Sequence, residues 1–138
     1  MSSDSLEDAA DAAFARLEER CGDVDALSPL DRTIVIVYSA QGVLDNGGLE
    51  YFFSNDWPGA PRYANFVDAY REIGAGPEAD AIARAAARFP FPDPEADRDR
   101  RLEAMDEAFT QELEALEESC TSDVWALLAA HVRRHATD

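Results

Sequence analysis

One segment constrains the fold more than any other: Ser28-Pro29-Leu30-Asp31, then TIVIVYSAQGVL over residues 33–44. The second part is β-branched and has the composition of a strand. Ahead of it stands a helix start, with Ser as N-cap, Pro at the first helical position and an acid at the third. Leu30, Ile34, Val37, Tyr38, Gln41 and Leu44 also fall on one face at steps of three and four. The segment reads as helix, and that limits the kinds of turn that can succeed it.

Asp45-Asn46-Gly47-Gly48, just ahead of Tyr51-Phe52-Phe53, has three readings: a hairpin turn, a phosphate-cradling glycine loop, or a tight corner between two helices. A hairpin needs a strand on its N-terminal side. A phosphate loop needs a preceding strand and a glycine-lysine pattern, and this chain has no Lys. The corner remains. Gly47 or Gly48 would supply the positive φ of a helix end, and Asp45 or Asn46 would accept from the free amides of a helix over 49–55.

Elsewhere the helical period recurs. Leu6, Ala10, Ala13, Phe14 and Leu17 predict a helix over 4–20, stopped by Cys21-Gly22. Residues 56–61 are a loop by composition, with Trp57 expected to cap the core. Tyr63, Phe66, Val67 and Tyr70 mark a fourth helix ending at Gly74. A fifth, Ala-rich helix spans 77–89 and is closed by Pro90, Pro92 and Pro94. A sixth is expected to run unbroken over 95–118, and a seventh to start at Ser122 as N-cap and continue through Trp125, Leu127, Leu128 and Val132. The 138 residues thus predict an all-α, compact single-domain bundle of about six to seven helices. A chain of this size buries roughly two-thirds of its unfolded surface and needs no disulfide or metal for its core.

Charge is the anomaly. The chain carries 29 acids against 12 basic residues, all Arg, for a formal net charge of −17. Such an imbalance repels nucleic acid and anionic membrane, so a favourable partner is basic. An acidic surface also keeps a small protein soluble, which is the plainer account of it. The opening MSSDSLEDAADAAF has no apolar signal-peptide core, and no apolar run approaches the roughly 20 residues a spanning helix needs. A cytoplasmic protein with Cys21 and Cys120 as free thiols is expected.

The acids concentrate on the sixth helix. Leu102, Met105, Phe109, Leu113, Leu116 and Cys120 form its apolar stripe. Residues 102–123 hold eight acids, Glu103, Asp106, Glu107, Glu112, Glu114, Glu117, Glu118 and Asp123, and no basic residue. On a continuous helix Glu103, Glu107, Glu114 and Glu118 would share one face, in a row on the order of 22 Å long. Like charges at i, i+4 cost a few tenths of a kcal/mol per pair. The functional reading is an anionic ridge, with Glu103, Asp106, Glu107, Glu114, Glu117 and Glu118 as partner-binding residues. B-DNA carries one charge per about 1.7 Å of axis, and a basic DNA-binding surface reads that density first. The bland reading is a solvated helix face.

GVLDNGGLEYFFSN, residues 42–55, resembles the Asn-Gly-Gly, aromatic, Phe, Asn signature of a bacterial family of small acidic helical proteins. One branch of that family consists of DNA-mimic proteins. The likeness is carried by Asn46, Gly47, Gly48, Tyr51, Phe52 and Asn55, and more weakly by residues 63–70 and 102–109. It implies an all-α fold and, in that branch, a dimer whose acidic surface occupies the DNA-binding face of a transcription regulator. The corner residues carry over as structural: Asn46 as cap, the glycines for close backbone approach, Tyr51 and Phe52 as core. No motif fixes the acidic positions.

His131 and His135 stand at i, i+4, a spacing that chelates metals. With Arg133 and Arg134 between them and only Asp138 as an acid close in sequence, they read as cations complementing a helix C-terminus. No metal, cofactor or catalytic residue is expected. A cysteine nucleophile would need a base and an orienting group. The expected function is a non-enzymatic acidic protein that competes with nucleic acid for a basic DNA-binding protein. Two alternatives stand beside it: an immunity-type inhibitor of a basic toxin or nuclease, and an enzyme with its site at the corner over 46–55. The last predicts a concave pocket with perturbed pKa values there.

Overall fold

The computed structural model describes residues 3–57 and 61–136; Pro58, Gly59 and Ala60 of the expected loop lie outside the described residues. Among the described residues the chain forms seven α-helices, two short 3₁₀ turns and no strand. The helices are α1 (Ser3–Glu19), α2 (Pro29–Ser54), α3 (Tyr63–Glu72), α4 (Gly76–Ala86), α5 (Arg98–Ala104), α6 (Glu107–Glu117) and α7 (Val124–Ala136). The all-α class is as expected.

α2 is the central element, in contact with α1, α3, α5, α6 and α7. The Ser28 hydroxyl accepts from the Asp31 amide at 3.2 Å, so the cap acts at the position the sequence marks. Thr33, Ile34, Val35, Ile36 and Val37 are all buried, which explains a β-branched run inside a helix: neighbours surround it on every side. Asp31, itself buried, is gripped by the Arg16 guanidinium of α1 at 2.5 and 2.9 Å. That bidentate pair fixes where α1 crosses the start of α2. Arg16 is held still more firmly protonated, by the Asp31 hydrogen bond first and its charge second.

The glycine corner is a kink within α2. Gly48 has φ 67° and ψ −163°, and the helix resumes at Leu49. This backbone region is essentially reserved for glycine. Asn46 does not cap the second half; its side-chain amide donates to the Gly42 carbonyl at 2.9 Å. Asp45 accepts from Gln41 at 2.9 Å and from the Trp125 indole at 2.7 Å. The amide of Leu49 that the kink releases donates instead to Glu117 Oε1 at 2.5 Å, a residue of α6. A side chain from another helix therefore takes the role expected of a local cap. Gly47 serves close approach, since a Cβ there would collide with Tyr51.

Beyond the kink Phe52 and Phe53 point inward, fully buried. Phe52 packs on Phe66 at 5.0 Å and on Trp57 at 5.1 Å. Phe53 meets Tyr63 at 5.0 Å and Phe89 at 5.4 Å, and Phe89 reaches Phe109 of α6 at 4.9 Å. These aromatic contacts, three edge-on and two tilted, tie α2, α3 and α6 into one core. Tyr51, expected in that core, is 46% exposed. With the next two residues directed inward, a step of about 100° turns it to solvent.

The expected sixth helix is two helices. α5 ends at Ala104, Met105 and Asp106 leave the helical path, and the Asp106 carboxylate accepts from the Phe109 amide at 2.9 Å to start α6. An aspartate placed ahead of a fresh helical turn is an N-cap, and here it outcompetes continuation. At α7 the cap is Asp123, which accepts from the Ala126 amide at 3.2 Å, and not Ser122, whose amide donates to Glu78.

Candidate functional site

The break between α5 and α6 redistributes the acidic residues. Glu103 lies in the last turn of α5, Asp106 caps α6, Glu107 opens it, and Glu118 follows its last residue. One straight row of Glu103, Glu107, Glu114 and Glu118 is therefore not what the fold presents. Glu103 and Glu107 are no longer an i, i+4 pair on one helix, while Glu114 and Glu118 remain at that spacing along α6. Glu103, Asp106, Glu107, Glu114 and Glu118 are not buried, and among the described residues none forms an ion pair. Glu103 and Glu118 stand at helix C-terminal ends, where the dipole disfavours an anion.

Two neighbours leave this group. Glu112 is paired with Arg88 of the turn after α4, at 2.5 Å. Glu117, which its place in the sequence assigns to the ridge, turns inward to the Leu49 amide and is half-buried. It is a structural residue.

Sequence reasoning misses Arg101 altogether. It looks like one more surface charge in an Arg-rich stretch, yet its side chain is 1% exposed. Its guanidinium donates to the carbonyls of Phe53 (2.8 Å), Pro94 (2.8 Å), Glu95 (3.1 Å) and Asn55 (3.1 Å), and to Asp56 Oδ1 (2.8 Å). Arg98 adds a bond to the Ser54 carbonyl at 2.8 Å. Two arginines of α5 thus satisfy the open carbonyl end of α2 and complement its dipole. Asn55, the last signature residue, closes the same end by donating to the Tyr51 carbonyl at 2.7 Å.

Inside the kink lies a cavity of about 200 Å³ lined by Gln41, Gly48, Glu78, Glu117, Cys120 and Ser122 with their neighbours. Glu78 is buried; one of its oxygens accepts from the Ser122 amide at 3.0 Å, the other has no partner. Burial, then the charges of Glu78 and Glu117, push the Cys120 thiol up to about 11. The Tyr70 hydroxyl donates to Gln41 at 3.0 Å, and burial drives its pKa far above the ordinary value. These shifts hold both groups neutral, the opposite of an activated nucleophile. Held neutral and half-buried, Cys120 should react with iodoacetamide at pH 8 much more slowly than the exposed Cys21. Site-resolved mass spectrometry checks this; equal rates would mean that the cavity opens.

A third grouping sits at the other end of α7. His131 is 3% exposed, with its ring 4.3 Å from that of His135. Burial first, then the charge of His135, lower its pKa. The fold brings in an acid that sequence proximity does not show: Glu72 of α3, whose carboxylate joins both imidazoles in a cluster with donor atoms within 4.8 Å of one another.

Among the described residues no helix is long and apolar enough to cross a membrane. No curated protein and no solved structure matches the chain. The family described as DMP19-like protein matches residues 25–135, from the turn before α2 into the last turn of α7. The chain belongs to the DMP19-like protein family.

Proposed function

We propose that this protein is an acidic, DNA-mimic-type binding protein that occupies the basic nucleic-acid-binding surface of a partner protein such as a transcription regulator. It acts by competition with nucleic acid and catalyses nothing. The observation that carries the reading is the group of solvent-accessible carboxylates on α5 and α6, Glu103, Asp106, Glu107, Glu114 and Glu118, with no arginine bridged to them among the described residues. Family membership and the net charge of −17 support it. Anions held at helix C-terminal ends gain nothing for the fold, whereas a basic partner would reward them on docking.

The test begins with capture of the partner from lysate at about 150 mM salt and its release by competing duplex DNA, the behaviour expected of a shared electrostatic surface. Glu103→Gln, Glu107→Gln, Glu114→Gln and Glu118→Gln together are then expected to weaken binding by about a hundredfold, with the thermal melt unchanged. A control removes four α1 charges, at Glu7, Asp8, Asp11 and Glu18, and should weaken binding by less than about tenfold. Equal losses in the two variants would reduce the effect to net charge and sink the assignment to α5 and α6.

A further inference from the structure

We propose that Glu72, His131 and His135 form a binding site for a borderline divalent transition-metal ion of the Zn²⁺ class, held between α3 and α7.

Two imidazoles one helical turn apart already point the same way, and the carboxylate arrives from a different helix, so the three donors converge from two directions. Their separations reach at most 4.8 Å, against the about 3.3–3.6 Å that bonds of about 2.0–2.2 Å impose in a tetrahedral site. Glu72 and His135 are exposed, and rotation about their side-chain bonds closes that gap. His131 contributes a separate observation. Its Nδ1 is buried with no hydrogen-bond partner, an uncommon condition for an imidazole nitrogen, and a coordinated ion or the water it carries would supply the missing contact.

The surroundings suit a small ion with open coordination positions. Arg32, Asn65 and Asp68 line the same cavity, of about 260 Å³, with the three donors. Asp68 lies one turn before Glu72 on α3, so two carboxylates line the cavity together with Arg32, while the charge of Arg134 acts on His131. Nitrogen donors select the ion: Mg²⁺ and Ca²⁺ take oxygen ligands, while imidazole suits Zn²⁺ and its neighbours. The many surface carboxylates cannot reproduce that preference.

Isothermal titration of the metal-stripped, full-length protein with Zn²⁺ in excess Mg²⁺ tests the site. One ion per chain should bind saturably at micromolar concentration and raise the thermal midpoint. His135→Ala and Glu72→Gln, both at exposed positions, should each weaken Zn²⁺ binding about tenfold or more while leaving the metal-free melt unchanged. Binding equal in wild type and both variants would overturn the proposal, as would no saturable binding at all. So would binding that survives both variants but is lost in Cys21→Ser or Cys120→Ser, since that places the ion on a thiol.

Discussion

Replacing Arg101 by alanine is expected to lower the unfolding free energy by about 3–5 kcal/mol, the range found when one partner of a buried charged network is removed. The loss comes from the groups left behind. Four backbone carbonyls and the Asp56 carboxylate accept from this one guanidinium, and alanine strands them where the end of α2 meets the turn ahead of α5. Each buried acceptor without a donor costs roughly 1–3 kcal/mol, reduced where water reaches it. Arg101→Lys should recover only part, because an ammonium cannot span acceptors on both sides of a planar fork. Asp56→Ala should cost less than about 1 kcal/mol, since Asp56 is 66% exposed and its share of the pair is screened. Urea denaturation of the three variants measures this. An Arg101→Ala loss below about 1 kcal/mol would mean that the carbonyls find water and that α2 ends without help from α5.

Gly48→Ala is expected to cost about 2.5–6 kcal/mol through two separable effects. The backbone there occupies a region that non-glycine residues enter at about 1–3 kcal/mol. A Cβ would also drive into the Glu117 carboxylate and displace it from the Leu49 amide, a charged hydrogen bond worth roughly 1.5–3 kcal/mol. A double-mutant cycle with Glu117→Ala divides the two. Once the carboxylate is gone only strain remains, so the double variant should lose at least about 1 kcal/mol less than the sum of the singles. Gly42→Ala is the control: a Cβ there meets nothing within 4 Å, and alanine should be neutral or stabilising by up to about 1 kcal/mol. Strict additivity at Gly48 and Glu117 would remove the collision from the explanation.

The features legible in the sequence are those that local chemistry decides. The Ser28-Pro29 start, the Cys21-Gly22 stop with both residues at positive φ, and the glycine kink are all set within a few residues of chain. The hidden features depend on partners far along it. Leu49 takes its cap from α6, so Asn46 is freed from the role its position implies. Glu117 looks like one more ridge acid because nothing near it in sequence shows the kink it serves. The break at Met105-Asp106 has a visible signal, an aspartate three residues before Phe109, but an uninterrupted helical period runs across it. Arg101 gives no signal, since an arginine buries only where several carbonyls converge, and that convergence is a product of the fold. Glu72 reaches His131 and His135 in the same way, from another helix altogether.

The Glu117 bond to Leu49 joins positions 68 residues apart in the chain. It makes heredity of the corner and of α6 a single matter. Any lineage that trades Gly48 for a residue with a side chain must shorten or retract position 117 as well, and one that loses Glu117 must find another acceptor for the released amide. The acids beside it, Glu114 and Glu118, carry no such tie and are free to drift with whatever surface they meet. Among the unbridged acids of α6, Glu117 alone is thereby bound to the architecture of the corner.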